Sequence, residues 1–197
     1  MATWDAEAET THPLDYSLVK NSFVTLFWRP SLLDETVVWL RGSAYDVVEF
    51  DAASWGSADD MYDDFSATLG FPDYFGRNLD ALNDCIGDVA SGDYGWRRDA
   101  TGLVLVLRGF ETFATVDRKT AQMVLDILAG QARSALLIGN RMMCLVQSND
   151  PRLVFEPEPP TPGVVHRRES ARLWTNRGEY RRTSVAPCGE TTFRCHY

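Results

Sequence analysis

Five short segments rich in β-branched, aromatic and other apolar residues are predicted to form β-strands. Residues 22–28, 36–41 and 46–50 follow one another with only turn residues between them, which predicts antiparallel strands added at the N-terminal side of a sheet. Residues 102–107 have no polar position, as in a central strand that is covered on both faces. Residues 142–147 are predicted to form the last strand.

Apolar residues that recur every three or four positions predict three helices among these strands. The first covers residues 58–69 and ends at Gly70. The second is capped by Asn78 and closed by Gly87, and the third begins at Asp117. Because helices alternate with strands in this part of the chain, we expect right-handed crossovers and a small, mainly parallel α/β sheet with packed helices.

The chain of 197 residues is long enough for one domain of ordinary size with extensions on both sides. Residues 1–45 are predicted to be an N-terminal β extension packed on the core, and residues 46–150 to be the α/β domain itself. The sequence EPEPPTPG then opens a different kind of segment. We interpret residues 151–197, with eight arginines, five glutamates and no core pattern, as a proline-rich linker and an arginine-rich tail.

The formal charge of −9 is concentrated in one part of the chain. Residues 46–93 contain twelve acidic residues and one basic residue, Arg77, which gives a net charge of −11. Direct nucleic-acid binding normally requires a basic surface and is therefore not expected. The acidic region is either a solvated face or a surface that attracts a basic protein and accelerates its docking. The arginine-rich tail either stays apart from it or folds back on it, since the charges are complementary.

Location and metal content are judged from what the sequence lacks. No run of about 18 apolar residues and no basic, apolar leader occurs, so we expect a cytoplasmic protein without membrane contact. Cys85 and Cys144 lie in apolar patterns and are expected to be buried thiols. A zinc site in the tail is the alternative to a free tail, but its candidate ligands, Cys188, Cys195, His196 and His166, lack the paired spacing of structural zinc sites. No cofactor or metal is therefore expected.

An enzyme could use two nearby carboxylates, Asp80 and Asp84, as acid and base or as metal ligands. No histidine occurs between His12 and His166, and neither a nucleophile motif nor a glycine-rich phosphate loop accompanies the carboxylates. We therefore expect a binding protein without catalytic residues.

Residues 71–86, FPDYFGRNLDALNDCI, form the most specific motif in the chain. The segment resembles the signature of the barstar family, in which a loop with Pro, two aromatic residues and Gly leads into a helix carrying Asn, Leu, Asp, Ala, Leu, Asp and Cys. The predicted elements over residues 46–147 follow the family's order. The resemblance implies an inhibitor that binds a secreted bacterial ribonuclease inside the cell that makes it. A narrower version of this function is an antitoxin-like immunity protein that blocks a toxin ribonuclease. The alternative is an interaction protein that uses the same acidic helix to bind a partner other than a nuclease.

The spacing of the two acidic residues gives a physical reason for such a role. Asp80 and Asp84 are four residues apart and project from the same helical face, opposite Leu79, Leu82 and Ile86. Like charges at this spacing cost a helix about a few tenths of a kcal/mol, so a purely structural helix gains nothing from them. A ribonuclease site lined by Arg, Lys and His would offset that cost through charge-assisted hydrogen bonds.

The resemblance also implies a role for each residue of the motif. Asp84 would mimic a phosphate, Asp80 would be a second anchor to an arginine, and Tyr74 would be an aromatic contact. Glycine, asparagine and leucine next to them would give backbone and shape contacts. Core packing of Tyr74 and Phe75, and helix capping by Asn78, are the alternatives. The predicted partner-binding residues are Tyr74, Phe75, Gly76, Asn78, Leu79, Asp80, Asn83 and Asp84.

Four positions depart from the family pattern. Asn83 stands where the family commonly has Trp, and Phe75 replaces a second Tyr. Val89 and Gly130 stand where barstar itself has a Trp and a contact Glu. Because aromatic anchors often dominate the binding energy of an interface, a partner other than barstar's own is expected.

Overall fold

The structure, a computed structural model, describes residues 14–150, Leu153 and the pair Trp174–Thr175 of the chain. Its helices are α1 (Leu14–Val19), α2 (Pro30–Gly42), α3 (Ala58–Leu69), α4 (Leu79–Ser91), α5 (Phe110–Val116) and α6 (Arg118–Leu137). Its strands are β1 (Val24–Phe27), β2 (Asp46–Asp51), β3 (Leu103–Arg108), β4 (Met142–Gln147) and β5 (Trp174–Thr175). A 3₁₀ turn, Ala52–Ser54, follows β2.

The strands form one sheet in the order β2–β3–β4–β1–β5, and every strand pair is parallel. Across the sheet, Val48 lies opposite Leu105, Leu105 opposite Cys144, and Cys144 opposite Val24. The strands β2, β3 and β4 are neighbours in chain order, whereas the chain must cross β4 and β3 to pass from β1 to β2. The expected small, mainly parallel α/β sheet is confirmed.

The sheet separates two apolar cores. The leucines of β3 face the core that contains α3, α4, α5 and α6, while its valines face the core that contains α1 and α2. Successive side chains of a strand alternate between faces, so an uninterrupted apolar strand needs a covering layer on each. This arrangement confirms β3 as an interior strand that is covered on both faces, and it places α3 and α4 on the same face.

An aromatic cluster fixes α3 to the sheet. The rings of Phe50 and Phe65 stack with their centroids 4.6 Å apart, and the ring of Trp55 meets Phe113 edge-on at 5.3 Å. The Trp55 side chain is only 1% exposed, and its indole N–H donates to Asp64 of α3 at 2.8 Å. The position of α3 is therefore set by buried contacts.

Residues 36–41 do not form the predicted strand, because they lie within α2. Leu33, Val37 and Leu40 of this helix are buried at helical spacing and face the second core. Pro30 is the first residue of α2, where its missing N–H is not needed, and not part of a turn. Val38 belongs to the β-branched run that suggested a strand, but it is 70% exposed. Burial of the helical stripe outweighed the local strand preference.

The N-terminal antiparallel strands are consequently a wrong prediction. β1 pairs in parallel with β4, with Leu26 opposite Val146. The segment 14–42 thus supplies a strand to the same sheet and two helices to its second face. Because β1 pairs with β4 and not with β2, no tight turn between β1 and β2 is needed. The sequence contains no local signal for pairing with a strand more than 100 residues away.

Three helices begin where the sequence predicts. Ser57, Asn78 and Asp117 precede α3, α4 and α6, and each side chain accepts a hydrogen bond from the backbone N–H three residues later, at 3.2, 2.9 and 2.9 Å. Gly70 ends α3 in the left-handed conformation with φ of 68°. A cap bonds to a residue only three positions away, so these helix boundaries can be predicted from the sequence.

The predicted end of α4 is wrong. The helix continues past Gly87 to Ser91, and its left-handed cap is Gly92 with φ of 84°. A Cβ atom at Gly87 would lie 3.4 Å from the side-chain amide of Gln131 in α6. Gly87 therefore lies against α6 in the interior of the helix and does not mark a helix ending.

The remaining predictions for the tail, including the zinc alternative at Cys188 and Cys195, lie outside the described residues. Of the residues after Leu153, the structure describes Trp174–Thr175, which pairs with Thr25 and Leu26 at the edge of the sheet. The division of the chain into three parts stays a prediction.

Cys85 and Cys144 are free and buried. Among the residues that the structure describes, no helix is both long and apolar enough to cross a lipid bilayer. The same residues contain no group of three or more His, Cys, Asp or Glu side chains that could hold a metal ion.

Candidate partner-binding site

The loop of residues 71–78, here called the docking loop, connects α3 to α4 and is held on its core side by Phe71 and Phe75. Phe71 is buried, and its backbone N–H donates to Ser66 of α3 at 3.0 Å. The ring of Phe75 packs edge-on against Phe71 at 5.0 Å and against Tyr62 at 6.0 Å. The N–H of Phe75 also donates to the carbonyl of Pro72 at 2.9 Å, closing a turn within the loop. The core-packing alternative therefore describes Phe75, which is partly buried against the core.

Tyr74 lies next to Phe75 but points away from the core. Its side chain is 82% exposed, the highest exposure of any large hydrophobic residue in the described loop and helices except Leu137. A tyrosine has a large apolar ring and a polar tip, a combination enriched at protein interfaces. The anchored turn at Phe75 thus presents Tyr74 to solvent.

The start of α4 is held by Asn78. Its side-chain oxygen accepts from the N–H of Ala81 at 2.9 Å, and its amide group donates to the carbonyl of Gly76 at 3.1 Å. A Cβ at Gly76 would lie 3.1 Å from that same amide nitrogen, so a larger residue would push against the cap. Asn78 is a helix cap, as the alternative interpretation holds, and it simultaneously joins the docking loop to α4.

Asp80 and Asp84, here called the α4 acid pair, lie on the outer face of this helix. The opposite face buries Leu82, Cys85 and Ile86, so the direction in which the two carboxylates point is fixed by packing. Both residues are exposed, and neither forms a hydrogen bond or an ion pair with any residue of the segment 14–150. One turn further on, Asp88 is half-buried and accepts from the hydroxyl of Tyr94 at 3.3 Å.

Two of the predicted contact residues face inward. Asn83 accepts from the side-chain amide of Gln131 at 2.9 Å and is half-buried between α4 and α6. Leu79 is also half-buried and packs against the first core. Gly130, where barstar itself has a contact Glu, is exposed on α6, and nothing lies within 4 Å of a Cβ placed there. Tyr74, Gly76 and the α4 acid pair are therefore exposed on the docking loop and α4, whereas Asn83 and Leu79 are half-buried beneath them.

Arg77 was not among the predicted contact residues, and the structure connects it to α3. Its guanidinium forms a two-pronged ion pair with Asp63, with N–O distances of 2.6 and 2.9 Å. The available signal was its isolation as the one basic residue in a segment of net charge −11. Predicting which acidic residue it meets would have required the relative placement of α3 and the docking loop.

Burial controls the titration of the groups behind α4. It raises the pKa of the Cys85 thiol, and it is also the main cause of the raised pKa of Tyr94. Both groups are therefore neutral near pH 7, and the charge of this surface resides in its exposed carboxylates. A neutral buried thiol is also unreactive, which gives Cys85 a packing role.

The comparisons with known proteins cover this same region. A family model described as "Barstar (barnase inhibitor)" matches residues 45–147, slightly more than half of the chain. The chain belongs to the barstar family. A Bacillus subtilis (strain 168) protein named "Putative ribonuclease inhibitor YrdF" is 41% identical over 68 residues, which make up 34% of this chain and 65% of that protein. This barstar-family chain therefore aligns with just under two thirds of that relative's length.

The family match confirms the resemblance drawn from residues 71–86. It begins one residue before β2 and ends with β4, so it includes α3, the docking loop and α4. β1 lies outside the matched residues although it pairs with β4 in the same sheet.

Proposed function

We propose that this barstar-family protein binds a cationic ribonuclease and blocks its active site with the docking loop and α4. The ribonuclease would be a secreted or toxin enzyme, held inactive in the cytoplasm of the cell that makes it. The membership of the family of barnase inhibitors and the name of the Bacillus subtilis relative support the class of partner. The proposal assigns the contact to the surface formed by Tyr74 and the α4 acid pair.

The observation that carries the proposal is the α4 acid pair itself. Two carboxylates one helical turn apart repel each other by about a few tenths of a kcal/mol. Within residues 14–150 no cation compensates either of them. A site that normally holds phosphate groups supplies Arg, Lys or His side chains, which would form charge-assisted hydrogen bonds with both acids. These bonds would offset the repulsion between the two acids and supply the binding energy of the complex.

Tyr74 supports the same surface by supplying apolar contact area. Aromatic residues are frequent among the few residues that dominate a protein interface. At 82% exposure, the ring has much of its area still to bury on binding. Because Phe75 fixes the turn beside it, less conformational freedom of the loop is lost on docking.

The rest of the site is rigid in ways that favour tight binding. The cap at Asn78, the inward face of α4 and the hydrogen bond between Asn83 and Gln131 all hold the acid pair in place before a partner arrives. Preorganised groups lose little entropy on association. The protein would therefore act as a fixed plug that competes with the RNA phosphates for the cationic residues of the enzyme.

Inhibition of purified ribonucleases tests the proposal, with a panel of cationic microbial ribonucleases that includes barnase as the reference enzyme. The parent chain should inhibit at least one enzyme, and a mononucleotide that occupies the active site should compete with the chain. Asp84→Ala should lose inhibition, while the matched control Asp93→Ala, an exposed acid beyond the last turn of α4, should retain it. Inhibition that survives Asp84→Ala, or that a mononucleotide does not affect, would contradict an active-site plug.

A further inference from the structure

Arg77 has an unusual backbone conformation at the junction between the docking loop and α4. Its φ of 50° lies in the left-handed region, which residues with a Cβ rarely adopt. Among the described residues other than glycine, only Ala44 shares a positive φ. A side chain that keeps an unfavourable backbone angle needs contacts that hold it there.

Those contacts are made to α3 and form what we call the Arg77 clamp. Nη1 lies 2.6 Å from Oδ1 of Asp63 and Nη2 lies 2.9 Å from Oδ2 of the same carboxylate, which is the parallel two-bond geometry that guanidinium favours. Nη2 also lies 3.7 Å from Asp59, one turn earlier on α3. The side chains are about half exposed, at 47% for Arg77 and 60% for Asp63, so the clamp is a modest interaction that orders a local segment.

The clamp closes the docking loop into a ring. The loop leaves α3 at Gly70, and Arg77 returns its other end to the outer side of the same helix. α3 is itself fixed to the core through Trp55 and Phe65. Tyr74 and the cap Asn78 therefore lie on a loop whose two ends are tied to one rigid element.

The clamp also controls charge. Arg77 lies three residues from Asp80 and is the one basic residue between positions 46 and 93. Pairing with Asp63 turns it toward α3, so the nearest cation in sequence does not neutralise the α4 acid pair.

We infer that Arg77 is a positioning residue for partner binding: its ion pair with Asp63 holds the docking loop in its binding geometry and keeps this cation away from Asp80 and Asp84. The inference rests on the proposed function for its consequence in binding. Its consequence for the free protein is independent of any partner.

Amide hydrogen exchange tests the clamp in the free protein. The N–H groups of Phe75 and Ala81, which donate to Pro72 and to Asn78, report the order of the loop and the cap. Arg77→Ala and Asp63→Ala should each accelerate their exchange by about two- to fivefold, the range expected for a favourable surface ion pair, with no change in the exchange of β3. Arg77→Gly relieves the backbone angle but removes the ion pair, so it should behave like Arg77→Ala. Unchanged exchange in Arg77→Ala and Asp63→Ala would overturn the inference, and so would retained protection in Arg77→Gly alone, since the backbone angle would then be the cause.

Binding kinetics with barnase, or with whichever ribonuclease the parent inhibits, give a second readout. Both Arg77→Ala and Asp63→Ala should dissociate about two- to fivefold faster, because both lose the clamp. Their association rates should move in opposite directions, since the first variant removes a positive charge from the acidic surface and the second removes a negative one and frees Arg77 to approach the acid pair. The exchanged double variant Arg77→Asp with Asp63→Arg should recover the parent dissociation rate at least in part. Unaltered dissociation in both single variants overturns the inference.

The two experiments also separate this inference from the proposed function. If no ribonuclease binds the parent chain, the proposed function fails while the exchange measurement still decides whether Arg77 orders the loop. If the parent binds and Asp84→Ala does not, but the clamp variants match the parent in exchange and dissociation, only the role of Arg77 fails.

Discussion

The helices α3 and α4 are consecutive, lie on the same face of the sheet and both direct acidic side chains outward, yet they use them differently. Each acidic residue of α3 has a partner within the chain. Asp59 and Asp63 pair with Arg77, Asp60 accepts from the hydroxyl of Ser57, and Asp64 accepts from the buried indole of Trp55 and from Thr68. On α4, the acid pair has no such partner among residues 14–150.

This difference shows that charge density does not by itself identify a binding surface. Both helices contribute to the net charge of −11 between residues 46 and 93. A carboxylate that satisfies a buried donor or holds a neighbouring loop contributes to the fold, and a substitution there should alter stability or order. A carboxylate without a partner is available to an external cation, and a substitution there should alter binding. The two helices therefore predict opposite phenotypes for the same change.

The largest effect is expected from Asp84→Ala on α4. It should weaken ribonuclease binding by about 2–5 kcal/mol, a general range for the loss of one member of a buried charge pair that draws in part on the complex of barstar itself. Stability should stay the same or rise slightly, because Asp84 lies in the middle of α4, where its removal relieves the repulsion from Asp80 and alanine is the better helix former. Titration calorimetry and denaturant unfolding measure the two quantities. A variant that unfolds more easily and binds as before would reverse the assignment.

Asp64→Ala on α3 should show the opposite pattern. Removing this carboxylate leaves the buried N–H of Trp55 without its acceptor, which typically costs about 1–3 kcal/mol of stability. Binding should change little in comparison. Denaturant unfolding in the parent and in a Trp55→Phe background separates the hydrogen bond from other effects, since the cost of Asp64→Ala should shrink when the donor is absent. An equal cost in both backgrounds would show that the bond does not matter.

Salt should sharpen the comparison through the rate of association. The parent should associate about tenfold more slowly when salt rises from about 20 to about 500 mM, because the screening length shrinks several-fold. Asp80→Asn with Asp84→Asn should flatten this dependence more than Asp60→Asn with Asp93→Asn, although both double variants remove two negative charges. Stopped-flow fluorescence can follow all three proteins. Identical salt slopes for the two double variants would mean that only total charge steers the encounter.

The smallest effect is expected at the junction between the two helices. Asn78→Ala removes the cap of α4 and should cost about 1 kcal/mol of stability. Binding should weaken by a similar amount, because the start of α4 and the docking loop lose their shared tie at Gly76. Asn78→Asp should restore the cap, which equilibrium unfolding can verify. Full activity and stability in Asn78→Ala would indicate that the helix start is held by packing alone.

The helix starts and the common face of the acid pair could be predicted from the sequence, because both depend on local patterns. Ser57 and Asn78 cap helices whose first turns are their immediate neighbours, and the four-residue spacing of the acid pair fixes its common face. The motif of residues 71–86 indicates the barstar family from sequence alone, and the family model confirms it. The alternation of strands and helices likewise predicted the mainly parallel sheet.

The errors concern features that depend on distant neighbours. Residues 36–41 have strand-forming composition, but their environment in the second core favours a helix. β1 pairs with β4, and Gly87 lies against Gln131, although neither pair is close in sequence. Local propensities differ by less than burial contributes, so the tertiary environment prevails where the two disagree.

The same reason explains why the sequence could not show which polar side chains of α3 and α4 already have a partner within the chain. Trp55 reaches Asp64 across nine positions, Arg77 reaches Asp63 across fourteen, and Gln131 reaches Asn83 across forty-eight. Sequence spacing places a carboxylate on a helical face, because the helix repeat is a local property. Whether that carboxylate already has a partner depends on which side chains the packed helices bring within hydrogen-bond distance, and this is a property of the folded chain alone.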